Sequence, residues 1–168
     1  MLDENKQILD KLMGQYGDNV DELKSRKEAE KELCETFAKS FNELKHNVIW
    51  PVVVDVGNQL NQYGHDFSIS EDTDFLDATA KYHPSNITIY IYPSITDKTM
   101  YTPETTPYIA FMADKYSRKV SILVSTMMPD GSGVFGTYGS FDLDKITKEF
   151  VEKEIVNVLK DTLIFHKE

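Results

Sequence analysis

The chain has 168 residues, of which 40% are hydrophobic and 27% charged, with nine Tyr and nine Phe. That size and composition suit one globular domain with a core of its own and exclude a disordered or fibrous chain. A formal net charge of −10 repels polyanions, so nucleic acid and anionic membrane surfaces are not expected partners.

The deficit is spread along the chain, with 11 acidic against 8 basic residues up to position 48 and 17 against 10 beyond it. A single cysteine, Cys34, cannot close an internal disulfide or build a cysteine-rich metal site, which fits a reducing compartment. The first residues are acidic where an export signal is basic. The longest apolar run, Val48 to Val54, is seven residues interrupted by Pro51, against roughly 20 needed to span a bilayer. The expected setting is cytoplasmic, with no membrane partner.

Residues 3 to 13 have helical spacing through Leu9, Leu12 and Met13, and Gly14 and Gly17 predict its end. A second helix is expected to start at Asp18, with Asp21 and Glu22 favourably placed in its first turn. Leu33, Phe37, Phe41, Leu44 and Val48 recur every three or four residues and predict one apolar face. Lys24 to Glu32, with seven charged residues of nine, predicts a solvated or projecting stretch. Pro51 predicts a break and a change of direction, yet suits the first turn of a following helix. Val52, Val53, Val56 and Leu60 extend that helix to Gly64, which suits a left-handed cap.

Near residue 66 the apolar period changes from 3.6 to 2. Strands are expected at Phe67 to Ile69, at Leu76 to Tyr82, at Ile87 to Tyr92, at Tyr108 to Ala113, at Val120 to Ser125 and at Val134 to Phe141. Pro84-Ser85-Asn86 predicts a turn pairing the second and third of these; Lys115 to Arg118 and Asp130-Gly131 predict further turns. A closing helix from about 143 to 164 carries Leu143, Ile146, Phe150, Ile155, Leu159 and Leu163, with Asp142 as its expected cap. The predicted class is α+β: N-terminal helices, then an antiparallel meander sheet of five to six strands covered by a long C-terminal helix. One domain is expected over residues 1–168, as a helical arm (1–48) and an α+β body (49–168).

No catalytic constellation stands out. Gly131-Ser132-Gly133-Val134-Phe135-Gly136 has the glycine spacing of nucleotide loops, but it leads into a strand and lacks the accompanying kinase residues, so a hairpin turn is expected. Glu71, Asp72, Asp74 and Asp77 lack the glycine and final glutamate of a calcium loop and read as an exposed acidic loop. His46, His65, His83 and His166 form no metal-ligand pair at helical spacing, and His65-Asp66 points to opposite sides of a strand. Cys34, beside Leu33 and Phe37, reads as a packed thiol. No metal and no cofactor is expected.

Two features suggest binding instead. The 15 residues from Pro93 to Pro107, without a regular period, form a connection longer than compact domains usually hold. Beside it Tyr90 and Tyr92, opposite the isoleucines, with Tyr101 and Tyr108, make a candidate ligand or partner face, where Tyr90→Ala and Tyr92→Ala should affect binding more than fold. The charged, apolar-striped N-terminal helices suit a protein partner or self-association. The expected function is a non-catalytic soluble binding or adaptor domain; the alternative is a small-molecule-binding protein or enzyme with a pocket between sheet and C-terminal helix.

Overall fold

The computed structural model describes residues 1–165. The chain divides into two compact units, Met1–Thr36 and Phe37–Glu168.

The first unit is helix throughout its length beyond residue 2 and belongs to α1 (Asp3–Leu44). The break expected at Gly14 and Gly17 does not occur. Each glycine costs a helix about 1 kcal/mol relative to alanine, but propagation adds a hydrogen bond per residue, and a helix of 42 residues carries two such penalties. Apart from Val20, which is half-buried, and Cys34, which is buried, every residue of this unit is exposed.

In the second unit the chain stays helical through a five-residue π-turn, Lys45–Ile49, into α2 (Trp50–Gln62). Pro51 lies in the first turn of α2 as expected, but Ile49 and Trp50 keep right-handed helical dihedrals, so the helical winding continues. Proline clashes with the carbonyl four residues back and cannot donate to it; a π-turn, which bonds five residues back, widens the coil at that point. Gly64, at φ +85°, ends α2, with the His65 amide reaching the Leu60 carbonyl at 3.1 Å in a Schellman cap.

Five strands follow in a continuous antiparallel meander, β1 (Asp66–Asp72), β4 (Ser85–Tyr92), β5 (Tyr108–Asp114), β6 (Lys119–Ser125) and β7 (Phe135–Phe141), while β2 (Phe75–Leu76) and β3 (Tyr82–His83) form a separate small hairpin. The strand expected over Leu76 to Tyr82 is thus replaced by a tight turn. Asp77 accepts from the amides of Thr79 and Lys81 at 2.8 and 2.9 Å, and Ala80 adopts φ +60°. An aspartate that satisfies the backbone locally outcompetes a ladder. Ser85, expected in a turn, begins β4, which pairs with β1 and β5.

The C-terminal helix α3 spans Lys148–Phe165, later than expected, after a 3-10 turn at Leu143–Lys145. Asp142 makes no cap bond; it meets Lys119 at 3.2 Å, and Thr147 caps α3 by accepting from the Phe150 amide at 3.2 Å. The connection from 93 to 107 is likewise more regular than its sequence suggests, with 3-10 turns at Lys98–Met100 and Pro103–Thr105 and a capping box between Thr102 and Thr105.

Ile87, Ile89 and Ile91 on β4, Ile109 and Phe111 on β5 and Ile122 on β6 are all at most 1% exposed and share one sheet face. Phe37, Phe41, α2 and α3 pack onto that face.

Because open space surrounds the missing Cβ at positions 14 and 17, Gly14→Ala and Gly17→Ala should each stabilise α1 by about 0.5–1 kcal/mol. Thermal melts followed at 222 nm check this; a loss of helicity would restore the break.

Candidate binding surfaces

The face of the sheet opposite the isoleucines is polar and aromatic. Backbone pairing sets Ser68, Tyr90, Tyr108 and Ser125 side by side across four strands. Tyr90 and Tyr108 lie 5.8 Å apart at 59°, and Tyr92 meets Tyr101 edge-on at 5.4 Å. The four tyrosines expected to form a site are therefore brought together as two adjoining pairs.

Each pair is tied into the fold. Tyr92 Oη shares a hydrogen bond with Ser68 Oγ at 3.0 Å, and Tyr101 Oη donates to the Pro93 carbonyl at 2.7 Å, holding the long loop to the end of β4. Lys98, from that loop, lies 5.0 Å over the Tyr92 ring and pairs with Asp66. Burial raises the Tyr90 phenol above its ordinary value, with Tyr108 and Tyr92 adding to it, and burial likewise raises Tyr101.

A second aromatic group, missed in the sequence, stands at the other end of this face. Tyr82 and Tyr116 meet at 5.3 Å, with Lys115 Nζ 5.0 and 5.4 Å from their rings and 3.3 Å from Asp74. They edge a hollow of about 310 Å³ floored by Met112, Ser121 and Leu123. Burial, then the Asp74 charge, pushes the Tyr82 phenol up to about 12.

The residues considered for chemistry separate. Glu71 meets Lys45 at 3.0 Å and His46 at 3.4 Å, Asp74 meets Lys115, and Asp77 meets His83 at 2.9 Å. The acidic run is thereby divided among four basic partners, two of them on Glu71. Thr79, His83 and the Lys81 amide hold the Asp77 carboxyl well below the usual range. His65 is not oriented by Asp66: its Nδ1 accepts from the Ser94 amide at 3.1 Å, whereas Asp66 serves Phe67 and Lys98. His166 lies outside the described residues. Among those described, no three His, Cys, Asp or Glu side chains gather as a metal site, and no helix is long and apolar enough to cross a membrane. Gly131, Ser132 and Gly133 shape the expected hairpin turn, in which a Cβ at position 133 would fall 2.2 Å from the Thr126 carbonyl oxygen.

Lys45 was invisible in the sequence. It is fully buried in the π-turn, with Nζ 3.0 Å from Glu71, 3.2 Å from Ser85 Oγ and 3.3 Å from the Asp72 carbonyl. These partners come from 26 to 40 residues downstream, so only the folded chain reveals the set.

Finally, a groove of about 660 Å³ lies between the β6–β7 end of the sheet and α3, lined by Val124, Val134, Phe135, Ile164, Lys160 and Asp161 among others. A smaller hollow of about 300 Å³ touches His65, Ser94 and Thr162, where the buried Thr162 hydroxyl has no partner among the described residues.

Tyr101→Phe should cost about 1 kcal/mol and speed amide exchange across residues 93–107, as read by mass spectrometry. Lys45→Ala, which removes a fully buried ammonium's contacts to Glu71, Ser85 and the Asp72 carbonyl and empties its volume, should cost about 3 kcal/mol in chemical denaturation. Because the folded state raises the phenol pKa values, stability is full below the ordinary value of 10.0 and falls as pH rises through the folded values, for Tyr82 about 12. Denaturant midpoints across that window, alongside absorbance at 295 nm, should show the decline. The chain matches no protein-family model, no curated protein and no solved structure.

Proposed function

We propose that this protein is a non-catalytic binding or adaptor domain whose N-terminal helical arm docks a protein partner. One observation carries the reading. Ile8, Leu9, Leu12, Met13, Tyr16 and Leu23 are between 44% and 66% exposed along the first unit, at the three- and four-residue spacing that lets a helix lay an apolar stripe into a partner. Contiguous apolar surface of that kind marks interaction sites on soluble proteins.

Supporting arguments come from the body. Its isoleucine face is filled by side chains, and the candidate chemical groups pair off structurally. The half-buried tyrosines Tyr90, Tyr92, Tyr101 and Tyr108 serve in this reading as a second contact face. A cytoplasmic setting belongs to it too, supported by the lone Cys34, and the net charge of −10 turns the domain away from nucleic acid.

A photoreactive phenylalanine analogue at position 16, activated in cells, tests the arm. A discrete cross-linked species that Leu9→Glu/Leu23→Glu abolishes is expected, whereas no species above background would overturn the reading.

The groove beside α3 favours a second reading, a small-molecule-binding protein or an enzyme acting in that groove, because apolar walls with a few polar groups are how such ligands are held. Filling it with Gly136→Leu should then abolish any fluorescence rise of an anilinonaphthalene sulfonate dye; a dye that never brightens with the native chain would count against this alternative.

A further inference from the structure

We infer that the partner of the arm is a second copy of this chain, docked antiparallel through α1 with the two-fold axis at Asp18. The inference rests on the reading of the arm as a docking element and adds to it the identity of the occupant and its register.

The seam can be followed residue by residue. Lys6, Leu9, Met13, Tyr16, Val20, Leu23, Lys27 and Glu30 follow one another at alternating steps of three and four, the heptad rhythm of a two-stranded coil. Its apolar part, Leu9 to Leu23, covers just over two heptads, and Lys6, Lys27 and Glu30 extend the same spacing with charged side chains at its two ends. All lie in the single helix α1, and none is buried.

Charge selects the partner and its direction. Along one flank of this seam, at heptad intervals, stand Asp3, Asp10, Gly17, Lys24 and Lys31. The flank is acidic before Gly17 and basic after it, at equal distances. In an antiparallel coil, equivalent flanks of the two helices face one another. Asp10 then meets the partner's Lys24 and Asp3 meets the partner's Lys31, each contact occurring twice by symmetry. A surface whose charges invert about its own midpoint is complementary to itself. In a parallel pair, by contrast, Arg26 would face the partner's Lys31 and Asp10 the partner's Asn5.

The same register settles the interior layers. Met13 packs on the partner's Leu23, and Val20 on the partner's Tyr16. Lys6 faces the partner's Glu30, so opposite charges share a layer, and Lys27 lies over the partner's Leu9 with its stem along the seam. The other flank places Leu12 along the aliphatic stem of the partner's Arg26.

Lys31 already lies 3.9 Å from Glu35 within its own helix, so Asp10 and Lys24 make the discriminating test. Light scattering and sedimentation equilibrium on the full chain should give twice the 19.3 kDa chain mass, and Leu9→Glu/Leu23→Glu should raise the dimer Kd at least ~100-fold. Asp10→Lys and Lys24→Asp should each weaken self-association roughly 3- to 10-fold. The double swap should restore it, and the two single variants mixed together should form the heterodimer in preference to either homodimer.

A chain that stays monomeric at about 100 μM, well above a micromolar Kd, overturns the second copy as occupant, while a cross-link from position 16 to a protein of another mass would still uphold the arm as a docking surface. A dimer that survives Leu9→Glu/Leu23→Glu places self-association elsewhere and overturns the inference. A dimer that needs those leucines but is indifferent to the charge swap overturns the antiparallel register.

Discussion

The body of this protein depends on one constraint: Ile87, Ile89 and Ile91 point to the same side of β4 and have to be kept from water. Each is at most 1% exposed, and full burial of such a side chain stabilises by about 1.5–3 kcal/mol. Neighbouring strands extend the apolar surface through Phe67, Ile109, Phe111, Val120 and Ile122, and a sheet bearing that surface needs a helical cover. The cover is laid closely. A Cβ at Gly57 of α2 would stand 2.4 Å from the Phe67 ring, so glycine is what lets α2 approach β1. Everything polar or phenolic on the alternate positions is consequently turned to the other face, which is why Tyr90, Tyr92 and Tyr108 gather there without any motif to announce them.

Where the helical segment passes from α1 to α2, a second constraint operates. Pro51 cannot join a regular α-helical ladder, and the π-turn that accommodates it contains Lys45. A lysine buried to 0% exposure would be costly alone, because a desolvated charge needs compensation. Glu71, Ser85 and the Asp72 carbonyl supply that compensation from β1 and β4. Such a set adds little net stability over an apolar replacement of the same shape. Its consequence is positional: the end of β1 and the start of β4 meet the helix at one place only. Asn42, which accepts from Ser85 Oγ at 3.3 Å, extends the same arrangement by one helical turn.

The fold was legible wherever side-chain period and local turn chemistry agreed. The isoleucine alternation of β4, the hairpin turn closed by Arg118 at φ +56° and the Gly64 cap all follow from residues within a few positions of one another. Legibility failed where local and cooperative terms compete. Gly14 and Gly17 carry a genuine penalty that a long helix absorbs. Leu76, Ala78, Ala80 and Tyr82 alternate like a strand, but the Asp77 carboxylate collects Thr79, Lys81 and His83 and closes a turn first. Sites assembled across distance were least legible. The tyrosines at 90, 92, 101 and 108 could be grouped because three lie on expected strands and the fourth in the loop between them, whereas Lys45 with Glu71, and Lys115 with Tyr82 and Tyr116, need the sheet order to meet.

The rhythm along α1 also explains why hydrophobicity and charge have different tasks there. Phe37, Phe41 and Leu44 continue the phase of Tyr16, Val20 and Leu23, yet the former belong to the core of the body and the latter are not buried. Periodicity therefore specifies that a face is to be covered without specifying by what. Apolar contact is indifferent to direction, since Met13 or Val20 would pack against many neighbours with similar energy. The flanking charges are not indifferent: in the proposed pair they disfavour a parallel mate, and a shift by one heptad leaves only one of Asp3 and Asp10 opposite a lysine on each side. An exposed pair contributes only about 0.3–0.5 kcal/mol, too little to drive association, but the same pair repeated on both sides of a two-fold axis is enough to choose between alignments that the seam leaves nearly equal.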